Sequence, residues 1–360
     1  MNKKLLFVST AVGALGTGLG GGVELTLHNT LKAVSRRGYH VQVIAPEGSE
    51  LENVSIYQVK GELQIPAQNQ AWLDPVITPD NSVLANMWNY VNRVQDDYDL
   101  IVNFSYDWLP LYLTPFLKKP VAHLISMSSL LSAMNRAIEE VINQFPCTIA
   151  VHGETQAATF PFKDKIICVL NGLDVSQYHF CDTPDFCLGW VGRIAPEKGL
   201  EDAFKVAEIS GVPLRIFGLK QDESYWNRLN EKYPNAPIEY MGFLPTTELQ
   251  HQLGRCRAAL ITPHWIEAYP NVMLEAMMCG VPLIGYSRGG ISEIIQDGKT
   301  GWLVEPDDIL GLSEAVANVD KINRLMCRQQ AEQVYSLDSF GERLESWFSS
   351  ILSRYPNHSH

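Results

Sequence analysis

The chain has 360 residues, with 28 Lys and Arg against 40 Asp and Glu, so its formal charge is −12. Hydrophobic residues make up 46% and charged residues 19%, which excludes a disordered chain and supplies a large core. The length suggests two domains, and the acidic balance argues against broad nucleic-acid or anionic-membrane binding while leaving room for a local basic pocket.

No apolar run reaches the ~20 residues that a membrane span needs, so none is expected. The opening Met1-Asn2-Lys3-Lys4-Leu5-Leu6-Phe7-Val8 resembles a signal peptide only superficially. Its apolar stretch soon turns glycine-rich without a small-residue cleavage site, so it reads as a first buried strand. Cysteines stand at 147, 168, 181, 187, 256, 279 and 327, an odd number with no C-x-x-C pair. That usage fits reduced core thiols and a cytoplasmic location better than a disulfide framework or a zinc site.

Residues 5–9 read as a strand, 23–37 as a helix ended by Gly38, and 41–45 as a second strand closed by Pro46. Further strands fit 100–104, 121–125, 149–152 and 166–170. The pattern then restarts, with a strand at 186–191 and a helix at 199–209. Strands at 214–218, 238–241 and 258–262 follow, then a helix at 272–278 stopped by Gly280 and a strand at 281–285. Such alternation signals parallel sheets with crossover helices. The predicted class is therefore α/β, with two doubly wound, Rossmann-like domains at 1–175 and 184–336 facing a cleft. A last helical pattern at 337–353 carries Phe340, Leu344 and Trp347 on one face and is long enough to cross back onto the first domain. Ligands of such sheets bind beyond the carboxyl ends of the strands.

The stretch 258–285 carries the strongest chemical signal. It reads strand, loop, helix, turn, strand, with Glu267 in the loop and Glu275 eight positions later in a nearly all-apolar helical segment. A buried carboxylate needs hydrogen-bond donors, which sugar or ribose hydroxyls would supply. Pairing of Glu275 with an internal Arg or a backbone amide is the alternative. The helix start at Pro270 and Asn271 also leaves backbone N–H groups available to a ligand. Upstream, Gly192 and Arg193 directly follow a buried strand, and Lys198 opens the next helix. Two cations at a strand's carboxyl end suit a diphosphate and would neutralise charge on a departing phosphate. An ordinary surface pair is the plainer alternative.

A third element is the glycine loop at 13–22, between strand one and the following helix. Such loops bring backbone amides to phosphate at a helix N-terminus. Gly16, Gly18 and Gly21 literally match G-x-G-x-x-G, which would suit a dinucleotide, but several residues separate the strand end from the first of them. Asp97 and Asp99 form a D-x-D before a strand rather than after it, which reads as a solvated turn. His123 lies inside an apolar strand pattern, where a core histidine competes with a catalytic one. Trp72, Trp88, Tyr106 and Trp108 could form an aromatic acceptor platform or simply pack. No cluster shows metal-ligand spacing, and no extended interface pattern points to an oligomeric state.

Together these elements resemble the retaining GT-B glycosyltransferases of family 4, over essentially the whole chain and most strongly over 186–306. Glu267 and Glu275 match that family's E-x7-E. The resemblance implies that Glu267 lies near the donor sugar, Glu275 binds the nucleotide ribose, and Arg193 and Lys198 hold the diphosphate. It likewise assigns Gly20, Gly21 and Gly22 to the glycine turn beside the phosphates, with Gly192 close by. Ala268, Tyr269, Pro270 and Asn271 match the loop whose amides hold sugar hydroxyls, Val272 follows it, and Gly242 and Phe243 match the turn against the base. Gly289, Gly290 and Glu293 match G-G-x-x-E, Thr300 to Val304 match T-G-x-L-V, and Asn171, Gly172 and Asp174 match N-G-x-D. One position departs. The place of the family's catalytic-site His falls on Ser126, with His123 three residues early, so both are carried as catalytic candidates.

The opening segment further resembles the bacterial pterin glucosyltransferases that use UDP-glucose and tetrahydrobiopterin. The resemblance implies transfer of a hexose from UDP-glucose to a small acceptor such as a reduced pterin, keeping the α configuration, with no metal and no cofactor beyond the donor. The C-terminal domain would bind the donor and the N-terminal domain the acceptor. A nucleotide-sugar 2-epimerase of the same architecture, an NAD-dependent oxidoreductase and a non-catalytic nucleotide or sugar binder are the rival readings.

Overall fold

The computed structural model describes residues 3–18 and 21–355. The chain divides into two units, one running to Gly172 and resuming at Leu337, the other comprising Leu173–Ser336.

The first unit is built on β1 (Lys4–Val8), β2 (His40–Pro46), β3 (Ile56–Val59), β4 (Leu100–Asn103), β5 (Val121–Leu124), β6 (Ile149–Val151) and β7 (Ile167–Cys168). Their order is β3-β2-β1-β4-β5-β6-β7, with every neighbouring pair parallel. Leu5, Leu6, Phe7 and Val8 are fully buried, as a central parallel strand covered on both faces requires. The second unit contains β8 (Leu188–Val191), β9 (Leu214–Phe217), β10 (Ile238–Gly242), β11 (Ala258–Ile261), β12 (Leu283–Tyr286) and β13 (Gly301–Val304). Their order is β10-β9-β8-β11-β12-β13, again all parallel. The doubly wound α/β class expected from the alternation is the class observed. In each sheet the winding direction reverses at one point, between β1 and β4 and between β8 and β11. Loops part there, and that is where such sheets receive ligands.

Some elements differ from the sequence reading. Strands β3 and β13 were not anticipated, and the expected strand at 166–170 shrinks to Ile167–Cys168, with Leu170 in a left-handed conformation at φ 56°. Trp88 is 1% exposed in the core, so it belongs to no acceptor platform. Asp99 accepts from Lys4 N at 2.8 Å and Lys3 Nζ at 3.0 Å, tying down the amino end of β1. All seven cysteines are free thiols. Among the described residues no helix is long and apolar enough to cross a membrane.

The helix Leu337–Arg354 packs on the first unit. Phe340, Leu344, Phe348 and Ile351 are fully buried there beside Leu27, Leu31 and Val34 of the helix Gly22–Arg36. Each such side chain contributes roughly 1.5–3 kcal/mol on burial. Polar ties fix the register: Arg37 Nε meets Glu345 at 2.7 Å, Arg343 Nε donates to Val169 O at 2.7 Å, and Trp347 Nε1 donates to Cys147 O at 2.7 Å.

Candidate active site

In the second unit, the loops after β8 and β11 meet at the point where the strand order reverses. The first carries Arg193 and Lys198, the second Glu267. Lys198 Nζ is paired directly with Glu267 Oε1, and both side chains are largely withdrawn from solvent. The Lys198 ammonium also sits 4.8 Å from the centre of the Trp265 ring, a cation–π contact that strengthens as water is excluded. Arg193 is held by Gln221 and, at 3.1 Å, by Glu197. Three of the predicted residues, Arg193, Lys198 and Glu267, thus stand on adjoining loops, each cation already paired with a carboxylate.

The loop pair is clamped from below. Gly199 has φ +66°, and a Cβ there would lie 1.7 Å from Thr262 O, so the backbones of the two loops touch where only glycine fits. Thr262 Oγ1 donates to Gly199 O at 2.8 Å, and His264 N donates to Glu197 O at 2.9 Å. Asp202, 4% exposed, accepts from Tyr286 OH at 2.8 Å, contacts His264 Nε2 at 2.8 Å and pairs with Lys205 at 3.1 Å. Burial raises the Asp202 carboxyl, but these hydrogen bonds and Lys205 outweigh it and hold it below its ordinary value. Asp202, His264 and Asp307 place ligand-type atoms within 4.8 Å of one another, a grouping that the sequence reading did not foresee. The acids there already have partners, since Asp307 also meets Arg288 at 3.1 Å, so the donor set works as a hydrogen-bonded brace.

Downstream, Ala268, Tyr269, Pro270 and Asn271 lead into the helix Asn271–Met278, whose N-cap residue, Pro270, makes no side-chain capping hydrogen bond. The Gly289–Gly290 turn clasps this loop: Gly290 N donates to Glu267 O at 2.9 Å, and a Cβ on Gly290 would lie 2.3 Å from Ala268 O. Val272 is half-buried in the first turn of the helix. Glu275, in the next turn, is 7% exposed, and its donor among the described residues is Tyr178 OH at 3.4 Å. Burial pushes the Glu275 carboxyl up to about 7, with the Tyr178 hydrogen bond opposing only in part. The pairing with an internal Arg considered for Glu275 is not found among the described residues. Gly192 lies at the end of β8, where its N–H donates to Phe217 O at 3.0 Å, and Gly242 accepts from Gly218 N at 2.8 Å across β9 and β10. Phe243 follows, 57% exposed.

The glycine loop of the first unit is arranged differently. Gly20 lies outside the described residues. Gly21, at φ +66°, sits just before the helix Gly22–Arg36, and its N–H donates to Gly18 O at 3.1 Å. The amides of Gly16 and Gly18 point at Glu24 Oε2, at 2.8 and 3.2 Å. A carboxylate of the chain therefore occupies the amides that the literal G-x-G-x-x-G would offer a dinucleotide.

Ser126 and His123 separate clearly. His123 is fully buried in β5, with Nδ1 3.1 Å from Asn103 Nδ2 and Nε2 2.9 Å from Thr114 Oγ1, and burial drives its imidazole down to about 3. It is a satisfied core histidine that reaches no surface, which removes it as a catalytic candidate. Ser126, beyond the end of β5, is half-buried and lies 3.0 Å from His152 Nε2. The sequence reading placed His152 at the end of a strand without giving it a role. Glu24, Asp202, His264 and Tyr286 were also missed. Glu24 alone left a signal, as an acid in the first turn after a glycine loop.

Comparison with known proteins gives a consistent picture. Residues 178–334 match the family described as Glycosyl transferases group 1. Glycogen synthase from Mycobacterium tuberculosis is 28% identical over 192 residues, covering 51% of this chain and 46% of that one. The 2-deoxystreptamine N-acetyl-D-glucosaminyltransferase of Streptomyces fradiae is 31% identical over 139 residues, 36% of this chain and 33% of that one. The chain spans about half or less of the length of these curated relatives. Among solved structures, that of the Anabaena protein HepE in complex with UDP-glucose superposes with a TM-score of 0.76 at 16% identity, covering 97% of this chain and 100% of that one. The chain thus has the GT-B fold, and its second unit carries the group 1 glycosyl transferase match. Neither the oxidoreductase nor the epimerase alternative is favoured by these likenesses.

Proposed function

We propose that the protein is a glycosyltransferase that moves a hexose from a nucleotide diphosphate sugar to a small acceptor. The second unit binds the donor and the first unit the acceptor. The observation that carries this reading is the Lys198–Glu267 pair at the β8/β11 reversal, with Arg193 on the same loop as Lys198, inside the segment that matches the group 1 glycosyl transferases. On binding, Arg193 and Lys198 exchange their carboxylate partners for the diphosphate and stabilise it as it leaves, without a metal. Glu267 is released to the sugar hydroxyls, and Glu275 accepts from the ribose, which offers the donors that Tyr178 supplies only weakly. The backbone N–H groups of the 268–272 segment other than Pro270, which has none, face the sugar, and Phe243 lies against the base.

UDP-glucose is the donor that this reading favours, supported by the likeness to HepE, which was crystallised with that nucleotide sugar. Among the described residues no side chain near Glu267 offers an obvious nucleophile, so on this reading attack comes from the face the leaving group departs, the acceptor's proton passes to the diphosphate, and the α configuration is kept. A reduced pterin is the acceptor we favour, supported by the opening segment and by the half-exposed Trp72 and the stacked Trp108–Tyr112 pair, whose centroids lie 4.5 Å apart. A thermal-shift screen of nucleotide sugars, followed by mass spectrometry with a pterin and flavonoid acceptor panel, tests the reading. Stabilisation by UDP and UDP-glucose and a mass gain of one hexose on tetrahydrobiopterin are expected. No shift with any nucleotide sugar would overturn it.

A further inference from the structure

Beyond the ends of β5 and β6, a buried hydrogen-bond chain ends on a single hydroxyl. His152 is 2% exposed, with Nε2 3.0 Å from Ser126 Oγ and Nδ1 3.3 Å from the carbonyl oxygen of Leu170. A carbonyl oxygen can only accept, so Nδ1 carries the ring proton and Nε2 a lone pair. Ser126 must then donate its hydrogen to Nε2. Burial pushes the His152 imidazole down to about 4, which keeps it neutral near pH 7.

The backbone around this hydroxyl is fixed by Gln156, which is fully buried. Its Nε2 donates to Ile125 O at 2.8 Å and to Met127 O at 3.0 Å, on either side of residue 126. Its Oε1 accepts from His152 N at 2.8 Å. One carboxamide therefore brackets both partners, using both of its N–H groups and its oxygen. Of the three side chains in the network, His152 and Gln156 are buried and Ser126 is half-buried. Its hydrogen is committed inward, and its oxygen lone pairs remain for a ligand.

We propose that Ser126 is a substrate-contacting hydroxyl that His152 and Gln156 hold in an acceptor-only state, so that it receives a hydrogen bond from a hydroxyl of the sugar or of the acceptor. His152 and Gln156 are positioning residues that act through Ser126. This rests on the transferase reading above and adds how the candidate Ser126 is prepared: its polarity is set from behind by a histidine just beyond the next strand.

The test is a double-mutant cycle in the full chain, reading UDP release from UDP-glucose with and without tetrahydrobiopterin. Ser126→Ala and His152→Asn should each lower kcat/KM about 10- to 100-fold, the size of one lost hydrogen bond to substrate. His152→Gln, whose carboxamide reaches the Nε2 position, should recover most of that loss. Combining Ser126→Ala with His152→Asn should cost no more than Ser126→Ala alone. Loss in both assays assigns the hydrogen bond to the sugar, and loss only with the pterin present assigns it to the acceptor. Wild-type kinetics in Ser126→Ala, or multiplying losses in the double variant, would overturn the proposal. A readout independent of turnover is the His152 tautomer by nitrogen-15 NMR: a proton on Nδ1 is expected, and one on Nε2 refutes it. If the wild-type protein releases no UDP, the transferase reading fails and the tautomer alone judges this one.

Discussion

The two units place a loop in the same topological position, after the first strand of a parallel sheet and before a helix, yet they settle its charge in opposite ways. In the second unit the loop after β8 carries cations, and carboxylates from Glu197 and Glu267 pair with them. In the first unit the loop after β1 offers amides, and the carboxylate of Glu24 fills them. Shared topology therefore does not mean shared ligand. Glu267 comes from a different loop and can swing away from Lys198. Glu24 belongs to the helix that its own loop opens, so its contacts hold that loop in shape.

The largest expected effect sharpens this contrast. Lys198→Ala should lower kcat for UDP release from UDP-glucose by about 100- to 1,000-fold, the usual size of a lost contact to a developing anion. The fold should survive, since the partner left behind, Glu267, can turn toward water. A rise in KM with kcat unchanged would instead mean that Lys198 binds donor and transition state equally.

Glu275 gives an intermediate effect that reads as stability. Its carboxyl is raised from 4.5 to about 7 in the folded state, so the folded chain holds the proton more tightly than the unfolded one. The stability this proton contributes is complete below pH ~4.5 and is lost as pH rises through ~7, amounting to about 3 kcal/mol. Glu275→Gln, neutral throughout, should remove most of this dependence. The difference in Tm between pH 5 and pH 8 checks it, with equal pH dependence in both proteins as the contrary result.

The smallest effect falls on the first unit. Glu24→Gln should cost about 1–2 kcal/mol in urea unfolding and speed hydrogen exchange at the Gly16 and Gly18 amides, because a neutral oxygen accepts more weakly than a charged one. UDP affinity should stay unchanged. A loss of UDP affinity as large as that of Lys198→Ala would erase the distinction between the loops.

How much of this was legible beforehand depended on whether a feature lies along the chain or across it. Glu267, Arg193 and Lys198 were readable because each sits just past an apolar strand, and the topology then brings such loops together. Their partners were not readable, because Gln221, Trp265 and Glu197 are chosen by loop geometry. His123 and His152 look alike in sequence, each a lone histidine at an apolar strand. Only the positions of Asn103 and Thr114 around one, and of Ser126 and Leu170 around the other, distinguish a core residue from one that supports a surface hydroxyl. Strand β3 escaped because Ile-Tyr-Gln-Val is short and mixed in polarity, and β13 because Gly-Trp-Leu-Val is only four residues long and opens on a glycine.

The helix Leu337–Arg354 has a consequence during synthesis. The first unit's core is completed by Phe340, Leu344, Phe348 and Ile351, which emerge after the whole of Leu173–Ser336. At elongation speeds of about 5–20 residues per second, that interval is roughly ten to thirty seconds. Throughout it the nascent first unit shows the ribosome's surroundings an uncovered greasy flank on the helix Gly22–Arg36, a landing place for a chaperone until the chain supplies its own cover.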